Sequence, residues 1–133
     1  MTLQVELVSP ERILYSGEAD MVVCRTVAGG EVAFLTGHAP FLAALETGVV
    51  RVKTPGGVEV AAVHGGFVEV RDNRVIILSD VAERADQIDT DRARKAKDEA
   101  ESDLKNAGED DDEADTHKAR ARRAEVRLEL AES

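Results

Sequence analysis

The stretch VHGGFVEVRDNRVIILSDVAERADQIDTDRARKA, Val63 to Ala96, changes its pattern midway, and that change decides the fold. In Val68-Glu69-Val70 apolar and polar residues alternate at period two, so one face of an extended chain is apolar. Asp72-Asn73 predicts the tip of a two-residue hairpin, because both residues tolerate the left-handed backbone of such turns. His64-Gly65-Gly66 predicts a bulge or a close approach of two backbones. Near Arg84 this pattern stops. From Asp86 onward there is no proline and a single glycine, Gly108, and Ala, Glu, Asp, Lys and Arg dominate. Most of these are good helix formers.

Toward the N-terminus the β pattern continues through LQVELV, MVVCRTV, EVAFL, VVRVKT and VEVAAV, with a turn at Thr54-Pro55-Gly56-Gly57. Many short strands punctuated by turn residues predict an antiparallel sandwich or barrel. About 80 residues suffice for one modest core. Toward the C-terminus, Ala93, Ala96, Ala100 and Leu104 form one helical stripe. Ala114, His117, Ala121, Ala124, Leu128 and Ala131 form another. Asn106 and Gly108 break the first helix, and the acids up to Glu113 suit the N-terminal end of the second. The expected arrangement is two antiparallel helices joined by a short acidic loop.

Stripes built mostly of alanine allow close approach but bury little area, at roughly 25 cal/mol per Å². Helices of this length are marginal without packing. Ion pairs such as Asp91/Lys95 and Glu101/Lys105 would add a few tenths of a kcal/mol each. A weakly held hairpin on a rigid sandwich has the profile of a switch element. The alternative is a hairpin that stays in place.

The net charge of -10 over 133 residues argues against a duplex nucleic-acid binder and against an electrostatic membrane anchor. No apolar run approaches the ~18 residues of a membrane span, so no direct membrane insertion is expected. MTLQVELVSPE lacks the basic start and apolar stretch of a secretory signal. Cys24 is alone, so no disulfide framework is expected.

Few residues offer chemistry. Asp89 can cap a helix, or its carboxylate can take a purine amino group or a ribose hydroxyl. Arg92 can pair with Asp89 on the same helix face, or its guanidinium can fork onto a phosphate. Arg120, Arg122 and Arg123 can complete an anionic site if the hairpin folds back. His38, His64 and His117 show no metal-ligand spacing, and no serine sits in a nucleophile elbow. The acidic run lacks the spacing of a calcium loop. No catalytic residues and no metal are expected.

GGEVAFLTGHAPFLAALETGVVRV, Gly29 to Val52, resembles the ε subunit of bacterial F-type ATP synthases. The stretch quoted first extends the resemblance, through Gly-Gly-x-x-Glu-Val, Ala-Glu-Arg-Ala and Ile-Asp-x-x-Arg-Ala. LQVELVSPERILYSGEAD fits as well, so nearly the whole chain is covered.

The resemblance implies an α+β chain, mainly β: a ten-stranded antiparallel β-sandwich over residues 1–85, then a regulatory two-helix hairpin over 86–133. It implies a non-catalytic rotor subunit of the central stalk, bound to the γ subunit and the c-ring at the cytoplasmic face of a bacterial membrane. When the hairpin extends, the α/β head becomes a partner, and ATP hydrolysis is inhibited. Glu31 and His38 match positions at the c-ring and γ interface. Glu83, Ile88, Asp89, Arg92 and Ala93 match the family's ATP motif, so no cofactor is required but regulatory ATP is implied. Arg122 and Arg123 would join that site in the folded hairpin. In the extended one, Arg120, Arg122, Arg123 and Arg127 would face the head. Two departures stand out: Glu99 replaces a nucleotide-binding arginine, and Thr36 replaces the usual proline before Gly37-His38. A competing reading is a free-standing ligand-sensing sandwich with a helical lid.

Overall fold

The computed structural model describes residues 2–106 and 114–132. The chain begins with ten strands: β1 (Leu3–Ser9), β2 (Arg12–Ala19), β3 (Met21–Thr26), β4 (Gly30–Leu35), β5 (Phe41–Ala44), β6 (Gly48–Thr54), β7 (Gly57–Val63), β8 (Phe67–Arg71), β9 (Arg74–Leu78) and β10 (Ala82–Arg84). They form two five-stranded sheets, β2-β1-β9-β8-β5 and β10-β7-β6-β3-β4. All pairings are antiparallel except β1 with β9. This is the sandwich that the family resemblance implied. The short apolar runs had shown seven of the ten strands.

Alternation explains the core. Leu3, Val5 and Leu7 of β1, Val68 and Val70 of β8, and Val75 and Ile77 of β9 point inward from the first sheet. Val22, Cys24, Phe34, Val50, Val52, Ala61 and Val63 meet them from the second. Cys24 behaves as a small apolar side chain, and burial pushes its thiol up to about 12.

The turns follow the sequence closely. Asp72 and Asn73 adopt φ of 50° and 61°, and Arg71 pairs with Arg74 across them. Both central residues are left-handed, as a two-residue hairpin between twisted strands requires. At Gly66 two backbones come close. Its φ is +117°, and a Cβ there would run into the Leu78 carbonyl oxygen. Its carbonyl accepts a bond from the Leu45 amide at 2.8 Å.

Contacts divide the chain into two compact units after Arg84. The second unit opens with a 3-10 turn at Ala85–Gln87, followed by α1 (Thr90–Asn106) and α2 (Ala114–Glu132). The helices pack on each other, and α2 also packs on the 3-10 turn. Ala93 and Ala100 of α1 and Ala121, Ala124 and Leu128 of α2 are buried, which matches the expected stripes. Val126 and Leu130 are buried too, although they lie roughly 140–180° around α2 from Ala121.

The surface ion pairs differ from those expected by spacing. Asp91 meets Arg94 at 3.8 Å rather than Lys95, and Glu101 meets Lys97 at 3.9 Å rather than Lys105. Lys and Arg side chains reach both three and four residues along a helix, so spacing alone cannot choose between such partners. The acidic stretch from Gly108 to Glu113 lies outside the described residues.

Candidate functional site

The outer face of the first sheet carries an apolar row that crosses all five strands. Register places Ile13 opposite Val8, Val8 opposite Leu78, Leu78 opposite Phe67, and Phe67 opposite Ala44. Ile13, Phe67 and Leu78 are 66%, 58% and 53% exposed. A hollow of about 250 Å³ opens beside the row, lined by Val8, Ser9, Pro10, Gly66, Phe67, Leu78, Ser79 and Asp80. Beyond the row the face is mixed: Leu42, 71% exposed, lies opposite Glu69, Glu69 and Glu6 flank Ile76, then come Arg71, Arg74 and Gln4. Exposed apolar side chains that form a continuous band on one end of a sheet mark a surface meant to be covered. The site motifs had not drawn attention to this row. Its signal is the unbroken Val75-Ile76-Ile77-Leu78, since a strand apolar on both faces is normally covered on both.

Glu31 and His38 border this architecture at opposite ends of the edge strand β4. Glu31 lies in the strand itself, opposite Arg25, rather than in the turn before it. The turn ends at Gly30, whose carbonyl is already held by the Thr26 hydroxyl at 3.0 Å. His38 follows the other end, its amide bonded to the Leu35 carbonyl. The two ends are separated by five residue steps, about 16 Å. His38 stacks edge-on against Phe34 and Phe41, with ring centroids 5.1 and 5.9 Å away, and its Nδ1 bonds the Ala39 carbonyl. The adjacent Gly37 amide donates to Asn73 Oδ1 at 2.7 Å, which ties this loop to the β8–β9 hairpin. Glu31 is exposed and sits at the end of the sandwich where the Val27 amide bonds the Ala44 carbonyl, the edge of the apolar row.

Asp89 caps α1. Its carboxylate accepts the Arg92 amide at 3.1 Å, and its carbonyl accepts the Ala93 amide at 3.0 Å. Such a cap contributes about 1 kcal/mol. Asp89 therefore holds the backbone of Arg92, not its side chain. The Arg92 guanidinium is exposed and makes no ion pair among the described residues. Ile88 is half-buried, with its amide on the Ala85 carbonyl, and Ala93 is buried.

Glu83 belongs to β10 of the sandwich, where its carboxylate meets His64 Nε2 at 2.9 Å. In the helical unit, Arg120 donates to Asp103 of α1 and to Nδ1 of His117, both at 3.2 Å. That cross-link sets the antiparallel register: Ala124 falls level with Glu99, and Ala131 with Arg92. On that register Arg123 falls level with Ala100, roughly 12 Å along the hairpin from Arg92. Arg122 is exposed and pairs with Glu125 at 3.7 Å. Arg127 is half-buried. The arrangement sets a capped helix start and the exposed Arg92 guanidinium at one end of the hairpin, with Arg122 and Arg123 further along it.

Among the described residues no group of three His, Cys, Asp or Glu is placed to hold a metal. Among the described residues no helix is long and apolar enough to cross a membrane.

Comparison with known proteins bears on the whole chain. Residues 2–85 match the family model of the ATP synthase delta/epsilon chain, β-sandwich domain. The ATP synthase epsilon chain of Bacillus pumilus is 42% identical over 130 residues, covering 98% of this chain and 92% of the relative. That of Streptomyces griseus is 42% identical over 127 residues, covering 95% and 92%. That of Alkalihalophilus pseudofirmus is 48% identical over 109 residues, covering 82% and 81%. Among solved structures, a chain of the Euglena gracilis mitochondrial ATP synthase (OSCP/F1/c-ring) superposes with a TM-score of 0.83 at 24% identity, covering 99% of this chain and 82% of that one. At that identity the likeness speaks to the fold alone.

Proposed function

The chain belongs to the family of ATP synthase epsilon chains, and from that membership we propose that it is a non-catalytic rotor subunit of the central stalk. In this reading the sandwich couples proton flow through the c-ring to the catalytic head by gripping γ and the ring and turning with them. The observation that carries it is the apolar row Ile13–Val8–Leu78–Phe67–Ala44. A permanent partner is held by an apolar face with a neighbouring hollow, and γ is the occupant this row fits. The exposed Glu31 and the turn from Val27 to Gly30 meet the polar loops of the c-ring. His38, at the far end of β4, faces γ. In this reading the protein is peripheral, at the cytoplasmic face of a bacterial membrane. A tagged chain should bring γ and the c-ring with it when the complex is extracted from membranes. Recovery as a monomer would instead support a free-standing ligand sensor with a helical lid.

The hairpin is the regulatory part of this proposal. Extended, it presents Arg120, Arg122, Arg123 and Arg127 to the α/β head and blocks hydrolysis. Reversing the four charges should relieve inhibition of ATP hydrolysis in the assembled enzyme. Unchanged inhibition would sink this assignment. Folded, the hairpin offers Arg92 to a phosphate and Asp89 to the sugar or base, while Glu99, at a position where the family has an arginine, repels the phosphate tail. ATP should therefore bind weakly, with Kd on the order of a millimolar. Calorimetric titration should show that heat disappear in both Asp89→Ala and Arg92→Ala. Micromolar binding, or binding that survives both changes, would show that the nucleotide sits elsewhere.

A further inference from the structure

His64 and Glu83 form a pair of a different kind from the surface ion pairs of the helices. The His64 side chain is 3% exposed and that of Glu83 22%, and Nε2 lies 2.9 Å from Oε1. His64 directly follows β7, and Glu83 is the middle residue of β10. β10 is three residues long and lies at the edge of its sheet, paired only to β7. So short an edge strand has few ladder bonds of its own to resist fraying. Its approach is tethered around the same histidine. The His64 amide donates to the Val81 carbonyl at 3.0 Å, and the buried Ser79 hydroxyl shares its one proton between the Gly65 and Val81 carbonyls, 2.7 and 2.9 Å away. The residue after Glu83 is Arg84, the last of the sandwich unit, and the second compact unit begins at Ala85.

We propose that the His64–Glu83 pair is a latch that fastens β10, and so holds the junction between the two units in the sandwich. His64 is a positioning residue for Glu83. While the latch is closed, one oxygen of the Glu83 carboxylate receives the His64 ring N–H and is not offered to a ligand. When it opens, that oxygen and the Arg84–Ala85 junction are released together. Any ligand that takes Glu83 must compete with His64, and in doing so loosens the point from which the helical unit departs. The latch stands on the geometry alone and does not depend on nucleotide binding.

Limited trypsin digestion of the full chain tests it, because the Arg84–Ala85 bond is a cleavage site at the junction. Mass spectrometry reads that bond alone. His64→Gln and Glu83→Ala should each speed its cleavage about tenfold or more, the loss expected for a partly buried bond to a charged group. The double variant should be no faster than the faster single, since both remove one interaction. Glu59→Gln, which alters the exposed partner of Arg84 at 3.7 Å, should leave the rate unchanged. Unchanged cleavage in the single variants, or fully multiplicative rates in the double, would overturn the latch. Hydrogen exchange on the unmodified chain is independent of variant folding. There the amides of His64 and of β10 should open as one group, and separate opening rates would also overturn it.

Discussion

Gly66→Ala is expected to destabilise the sandwich by about 3–5 kcal/mol, a large share of the stability of a domain this size. Two effects add. The backbone sits at φ +117°, where a Cβ is strained, and that Cβ would meet the Leu78 carbonyl oxygen with the Ser79 Cα close behind. Neither neighbour is the end of a flexible side chain, so relief requires β8 and β9 to part. They are central partners in the first sheet, and the Gly66 carbonyl also anchors Leu45. Gly65→Ala is the graded control. Its φ of +87° is strained too, but nothing lies within 4 Å of a Cβ there, so a loss of only about 1–2 kcal/mol is expected. Urea unfolding of the two variants separates strain from collision. Equal losses would mean that the strands adjust and that the close approach is not what requires glycine.

The second large effect concerns assembly rather than folding. Leu78→Glu combined with Phe67→Glu should weaken binding to γ by about 100-fold or more, while the isolated chain keeps its unfolding midpoint within a few degrees. Both side chains are more than half exposed, so the free protein loses little when they change. In a complex, two adjacent carboxylates on a cross-strand pair would have to be stripped of water without partners. Val58→Glu is the control, an exposed apolar residue on the other sheet, at the β6–β7 turn. It should bind as the original does. If Val58→Glu weakens binding and the row variants do not, the docking face is the second sheet.

Legibility in the sequence followed how local the physics was. The β8–β9 hairpin could be read because alternation and the Asp72-Asn73 tip are properties of neighbours in the chain. Asp89 could be read as a cap because the bond spans three residues. β2, β5 and β10 escaped the pattern. A register shift that skips Leu14, between the pairs Leu7/Tyr15 and Val8/Ile13, spoils alternation along β2, while β5 and β10 are four and three residues long. Only the family resemblance supplied them. Val126 and Leu130 were missed because a single-stripe reading of α2 assigns them to its outer side.

By itself, the sequence determined the change from β to α near Arg84, the inward residues of most strands, the turn types and the family. Each is written in spacing between near neighbours or in motifs along the chain. Tertiary structure alone decided which distant residues share a surface or a bond. It aligned Ile13, Val8, Leu78, Phe67 and Ala44 across five strands, brought His64 to Glu83, joined Arg120 to Asp103, and put Glu31 and His38 at opposite ends of β4. Strand order and register bring such residues together across long stretches of chain, and no spacing rule along one strand or helix encodes them.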